Sequence, residues 1–255
     1  MRYSQAELMV VTAARRLRDG DRVFVGVGLP NLAANLAKRS HAPDLTMIYE
    51  SGIVGPNPSR MPLTIVDAGL VTNASLVCSM FEVFCFYLQR GLIDVGFLGG
   101  AQVDRFGNIN STVIGSYEHP KVRLPGSGGS CEIATHAKRV LIMSPHQKRR
   151  FPERVEFLTS PGFLSNRGER SHLGLPGGGP EAVVTDLGVM EFDQSGEMVL
   201  ASLHPGATIE QVWENTGWPL KVASDLGLTP QPTDEELRLL REDLDPKGIH
   251  LKGTG

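Results

Sequence analysis

Cysteine is scarce: Cys78, Cys85 and Cys131 are the three in 255 residues, an odd number with no Cys-x-x-Cys pair. That spacing argues against a disulfide framework or a thiolate zinc site and suits a reducing compartment. The seven histidines are scattered, with no His-x-x-x-His on one helical face, so no metal is expected. Positive charge is not in excess, with 25 Lys and Arg against 28 Asp and Glu and a formal net charge of −3. No long basic stripe with interleaved aromatics is present, and nucleic acid is not an expected partner. Long hydrophobic runs are missing too. No stretch reaches the roughly 18 uninterrupted apolar residues of a membrane span, and Met1 to Glu7 lacks a signal-peptide apolar region, so a cytoplasmic protein without membrane contact is expected.

What is present is enough apolar residue, 41%, to fill a core. The length suits one α/β domain over residues 1–255. Ser4 with Glu7 forms a capping-box pattern, and Ala6, Val10, Ala13, Ala14 and Leu17 recur at helical spacing up to Asp19-Gly20. Arg22 to Val25 reads as a strand, followed by Gly26-Val27-Gly28-Leu29-Pro30 and a helix from Asn31 to about Arg39. Short apolar runs at 45–49, 64–66, 92–98, 140–143 and 155–158 alternate with helical pieces such as 79–90. This alternation predicts an open, mostly parallel sheet. Ser160 to Pro180 holds six glycines and three prolines and reads as a functional or subunit-contacting loop without an element of its own. Beyond it, 182–185, 189–192 and 198–203 read as a C-terminal antiparallel meander. Capped helices follow at Thr208/Gln211 and Thr233/Glu236, and residues 251–255 are expected to fray.

Glu50 ends the apolar run Leu45 to Tyr49 and precedes Ser51-Gly52, which places a carboxylate at a strand end, where open parallel sheets hold ligands. It could be a covalent nucleophile, a general base or a ribose acceptor. The last reading draws on Gly26-x-Gly28 some 20 residues earlier, as in a dinucleotide fingerprint. The third glycine would fall on Asn31, however, and Pro30 removes a donor from the turn. More glycine clusters, Gly99-Gly100, Gly107 and Gly126-Ser127-Gly128-Gly129, suggest backbone brought close to a ligand with N–H groups free to donate, although ordinary tight loops use glycine as well.

Taken in order, Gly26-Val27-Gly28-Leu29-Pro30, Tyr49-Glu50-Ser51-Gly52-Ile53, Gly99-Gly100-Ala101-Gln102-Val103-Asp104, Gly107-Asn108-Ile109-Asn110-Ser111-Thr112 and Gly126-Ser127-Gly128-Gly129 are similar to the β subunits of family I CoA-transferases. The chain most resembles the glutaconate CoA-transferase type. The resemblance implies the CoA-transferase α/β fold, a partner α subunit on a separate chain in a heterotetramer or larger assembly, and no cofactor beyond CoA esters as substrates. It implies that Glu50 is the nucleophile, carrying an acyl anhydride and then a glutamyl-CoA thioester. Gly26, Gly28, Gly99, Gly100, Gln102, Asn110, Gly128 and Gly129 would lie along CoA or the substrate, and the acids would be dicarboxylates of the glutaconate kind. Short-chain 3-oxoacid transferases usually carry Ser-Glu-Asn-Gly where this chain has Tyr49-Glu50-Ser51-Gly52, and are less similar. Some relatives that lack the Glu act as CoA-ester hydrolases or decarboxylases, so the alternatives for this chain are such a hydrolase or decarboxylase on the same scaffold, against which Glu50 weighs, and a non-catalytic CoA- or nucleotide-binding subunit. The basic run Lys148-Arg149-Arg150 could meet CoA phosphates or form a solvated or subunit-contacting face.

Overall fold

The computed structural model describes residues 2–58 and 60–252. Where the sequence reads as one domain, the chain divides into two compact units, residues 1–97 with 230–255, and residues 98–229.

In the first unit α1 (Gln5–Ala14) starts as predicted. Ser4 Oγ accepts the Glu7 N–H at 3.2 Å, and the Glu7 carboxylate accepts the Ser4 N–H at 2.7 Å. α2 (Leu29–Arg39) follows the glycine turn with Pro30 in its first turn. The strands are β1 (Arg22–Phe24), β2 (Thr46–Tyr49), β3 (Ile53–Val54), β4 (Leu76–Val77) and β5 (Val95–Leu98). β1 pairs in parallel with both β5 and β2, and β2–β3–β4 run antiparallel. A short helix, α3 (Met80–Glu82), widens into a π-helical stretch over Val83–Leu88, with Gln89 N–H donating to Phe84 O at 2.9 Å. The C-terminal helical segment packs back on α1. Arg15 meets Glu236 at 2.7 Å and Arg241 meets Glu7 at 2.6 Å, which ties residues 234–241 to the first helix. Leu251 and Lys252, expected to fray, end the helix Ile249–Lys252, whereas Gly253, Thr254 and Gly255 lie outside the described residues.

The second unit contributes two small hairpins, β6 (Gln102–Val103) with β7 (Ile109–Asn110) and β8 (Val113–Gly115) with β9 (Pro120–Arg123). Then come α4 (Ser130–His136), β10 (Arg139–Met143), α5 (Arg167–His172), β11 (Pro180–Val184), β12 (Gly188–Phe192), β13 (Met198–Leu203), α6 (Ile209–Glu214) and β14 (Lys221–Leu228). β10 and β11 are parallel, β11–β12–β13 form the expected meander, and β14 joins β13 in parallel.

Several expectations need correction. Thr64–Val66 is a turn, not a strand: the Asp67 carboxylate accepts the Leu63 N–H at 3.1 Å and, at 2.8 Å, the Gly69 N–H of the 3₁₀ turn Ala68–Val71 that it caps. Val155–Leu158 is irregular, because Glu156 turns its carboxylate to Gln102 and to the Gly115 N–H instead of pairing its backbone in a ladder. The glycine-rich segment 160–180 does hold an element, α5, capped by Asn166. Its order comes from Arg170, which is 3% exposed. The Arg170 guanidinium donates to the carbonyls of Gly177, Pro161, Gly162, Ala134 and Thr135 at 2.7–3.2 Å. Burial pulls Arg170 down to about 10, which leaves it charged near neutral pH.

Candidate active site

Glu50 stands at the tip of a three-residue hairpin loop. Tyr49 of β2 pairs with Ile53 of β3, and Gly52 N–H closes the loop onto Tyr49 O at 3.0 Å. The sequence places Glu50 at a strand end, which holds, but the chain leaving it turns straight back into an antiparallel strand. Gly52 makes this possible. Its φ of 99° is left-handed, and a β-carbon there would overlap the Cys78 carbonyl oxygen of the neighbouring strand. Glu50 is half-buried, and among the described residues its carboxylate makes no hydrogen bond or ion pair. Beside it Ser51 Oγ is buried without a hydrogen-bond partner.

Tyr49, directly before Glu50, is fully buried and anchors the hairpin. Its hydroxyl donates to Asn31 Oδ1 at 2.7 Å, and Asn35 Nδ2 donates to the same oxygen at 2.9 Å. Desolvation pushes the phenol well above its ordinary value, so it stays a neutral donor. The nucleophile candidate is thereby tied to the first turn of α2, the turn that Gly26 and Gly28 open. A β-carbon at Gly26 or Gly28 would meet no atom within 4 Å. Gly28 has φ 78°, which accounts for glycine there; Gly26 has no left-handed φ, and nothing in the chain itself accounts for it.

In the second unit the expected residues separate into two groups. Gln102 and Asn110 are buried and turned inward. Gln102 Nε2 donates to Glu156 at 2.7 Å, Asn110 Nδ2 donates to Gln102 Oε1 at 2.8 Å, and Asn110 Oδ1 accepts the Thr112 N–H at 3.0 Å. Their amides brace the β6–β7 hairpin, in which they are directly paired. Gly100 is likewise explained by packing, since a β-carbon would overlap the Ile109 side chain, and one at Gly99 would come within 3.2 Å of Met143 O. Gly128 is exposed and Gly129 is buried at the start of α4, and neither N–H donates to an acceptor among the described residues. The left-handed residue of this pair is Gly128, with φ 49°, whereas Gly129 has φ −81°.

Two features escaped the sequence reading. One is the Asn31–Asn35–Tyr49 network. The other is a buried histidine cluster: His146 stacks on Phe151 at 4.5 Å and shares hydrogen bonds with Thr185 and Thr216 at 3.2 and 3.0 Å. Among the described residues no cluster of three or more His, Cys, Asp or Glu side chains is assembled that could hold a metal, and no helix is long and apolar enough to cross a membrane.

Comparison with known proteins places this geometry in a class. The model of the family "Coenzyme A transferase" matches residues 6–215. The chain is 52% identical over 240 residues to a subunit of the 3-oxoadipate CoA-transferase of Pseudomonas knackmussii, covering 94% of this chain and 92% of that one. It is 40% identical over 250 residues to a subunit of the glutaconate CoA-transferase of Acidaminococcus fermentans, covering 96% and 93%. The crystal structure of glutaconate coenzyme A-transferase from that organism superposes with a TM-score of 0.92 at 39% identity, over 98% of both chains. The chain belongs to the coenzyme A transferase family. It is a CoA-transferase enzyme chain, similar along nearly its whole length to one of the subunits from which each of these two transferases is built.

Proposed function

We propose that this chain is the nucleophile-bearing subunit of a heteromeric CoA-transferase that moves CoA between dicarboxylic acids through Glu50. The observation that carries the reading is the half-buried, unpartnered Glu50 carboxylate at the tip of a rigid hairpin, with the unpaired Ser51 hydroxyl beside it. A carboxylate not engaged by an internal cation is free to attack. One Glu50 oxygen adds to the thioester carbonyl of an acyl-CoA, the C–S bond breaks, and CoA leaves as thiolate, giving an acyl–glutamyl anhydride. The thiolate then attacks the glutamyl carbonyl and releases the first acid as carboxylate, which leaves a glutamyl-CoA thioester. The acceptor carboxylate runs both steps in reverse. No redox change or metal enters, so no cofactor belongs to the proposal.

The dicarboxylate assignment rests on kinship, because 3-oxoadipate and glutaconate, named for the two relatives, are both diacids. An α subunit on a separate chain completes the enzyme. In support, Val77, Phe81 and Phe86 of the first unit are 59%, 66% and 54% exposed, an apolar surface that a partner would cover. The assembled enzyme is tested with a panel of acyl-CoA donors and acceptor acids, with products read by mass spectrometry. Diacid acceptors are expected to exceed 3-oxo monoacids by about tenfold or more in kcat/KM. Free acid released at the same rate without acceptor would make the protein a hydrolase and sink the transferase reading. Equal use of monoacids would remove the substrate class.

A further inference from the structure

The Glu50 carboxylate makes no bond of its own among the described residues, so its place is set by the backbone that carries it. That backbone is a slight structure: β3 is two residues long, and the loop is closed by Gly52 N–H on Tyr49 O at 3.0 Å. A polar tether reaches beyond the hairpin through the Tyr49 hydroxyl, 2.7 Å from Asn31 Oδ1 in the first turn of α2.

The direction of each proton in this tether follows from a backbone carbonyl. The Asn35 side chain lies 3.0 Å from Asn31 O and 2.9 Å from the Asn31 side chain. A carbonyl only accepts, so the Asn35 atom between them is Nδ2, with an N–H for each. The Asn31 atom that faces it is therefore Oδ1, and Tyr49, sharing that oxygen, must donate. Met47 Sδ, at 3.8 Å from the hydroxyl, is the weaker acceptor. What remains is Asn31 Nδ2, buried with no acceptor among the described residues.

A buried amide N–H left unmade costs stability. A phenylalanine packed on a leucine would fill much the same volume without that cost, so packing alone does not account for the polar contact. The hydrogen bond adds direction, because it holds the ring to a fixed distance and angle where apolar contact tolerates sliding. Direction matters here, since a displacement of about 1 Å in a reacting group can cost on the order of a hundredfold in rate.

We propose that Asn31, oriented by Asn35, is the positioning residue for Glu50: through the Tyr49 hydroxyl it fixes the point from which the carboxylate attacks the thioester. The proposal rests on the reading of Glu50 as nucleophile. Asn31 and Tyr49 are fully buried and act through Glu50, so they govern the chemical step and leave acyl-CoA binding alone.

The test compares Tyr49→Phe, Asn31→Ala and the double variant with wild type, each assembled with the α subunit and isolated by size exclusion, so that unfolded chain does not count. Tyr49→Phe is expected to lower kcat and kcat/KM together, by about tenfold or more, with KM for acyl-CoA unmoved. The double variant should be no slower than Asn31→Ala, because both changes cut the same tether. Where Asn31→Ala does not assemble, Asn35→Ala, which removes the group that orients Asn31, takes its place with the same expectation. A lower urea midpoint with kcat unchanged in Tyr49→Phe would make the contact structural only and overturn the proposal. So would losses that multiply in the double variant, or a rise in KM with kcat unchanged. Glu50→Ala that still transfers CoA would sink the nucleophile reading itself, whereas an inactive Glu50→Ala beside a fully active Tyr49→Phe overturns the positioning role alone.

Discussion

Replacing Gly26 by alanine separates folding from chemistry. The added methyl group meets no atom within 4 Å, and Gly26 does not use the left-handed region, so the folded chain accommodates alanine without strain. By restricting the unfolded chain the substitution should leave stability unchanged or raise it by up to about 1 kcal/mol. Catalysis should respond the other way. If the turn faces CoA or substrate at van der Waals distance, the methyl group overpacks the complex, which typically costs about 1–3 kcal/mol, or roughly 5- to 150-fold in kcat/KM. Urea unfolding of the chain and steady-state kinetics of the assembled enzyme measure the two effects. Unchanged kcat/KM would mean that nothing packs on Gly26 during turnover. A stability loss above about 2 kcal/mol would mean that the turn is not open as described.

Three further outcomes follow from the geometry. Gly52→Ala forces a β-carbon onto the Cys78 carbonyl at φ 99°, and the strand cannot recede without losing the 2.9 Å bond from Cys78 N–H to Gly52 O. A loss of about 3 kcal/mol or more in urea unfolding is expected, and a neutral result would refute the hairpin geometry. Arg170→Leu removes the guanidinium from five carbonyls, of which Thr135 O keeps the Gly177 N–H at 2.8 Å, and should cost about 3–5 kcal/mol, with the 160–180 segment becoming the first site of limited proteolysis. Burial lowers His146 to about 4, against Asp186, which acts to raise it. The unfolded chain therefore binds the extra proton first, and stability should fall by about 3 kcal/mol as pH drops from roughly 6.5 toward 4. His204, lowered by burial as well, adds to the same acid slope, and a His146→Gln variant with an undiminished slope would contradict the assignment to His146.

The parts of the fold legible in the sequence are those with local signals. The capping boxes at Ser4, Thr208 and Thr233 all close as their spacing implies, and the meander follows its two turns. Ile53–Val54 and Leu76–Val77 are two residues each and exist only because they pair across the sheet, so no window of sequence marks them. Lys221–Leu228 is largely exposed and lacks the alternation that betrays a strand. The position of Glu50 at the end of Thr46–Tyr49 was legible because a polar residue ends an apolar run. The amide pairing of Gln102 with Asn110 was not legible, because the contact of residues eight apart depends on hairpin register. The Tyr49–Asn31 bond, 18 residues apart, has no local sign at all.

The most direct measurement of the central claim is covalent labelling of Glu50. The assembled enzyme is incubated with acyl-CoA in the absence of an acceptor acid, trapped with borohydride or hydroxylamine, digested and read by mass spectrometry. A thioester or anhydride on Glu50 reacts where a free carboxylate does not, so modification at Glu50 with matching loss of activity is expected, and Glu50→Ala should carry no label and transfer no CoA. Label on Cys131, or no label with CoA transfer intact in Glu50→Ala, would contradict the account.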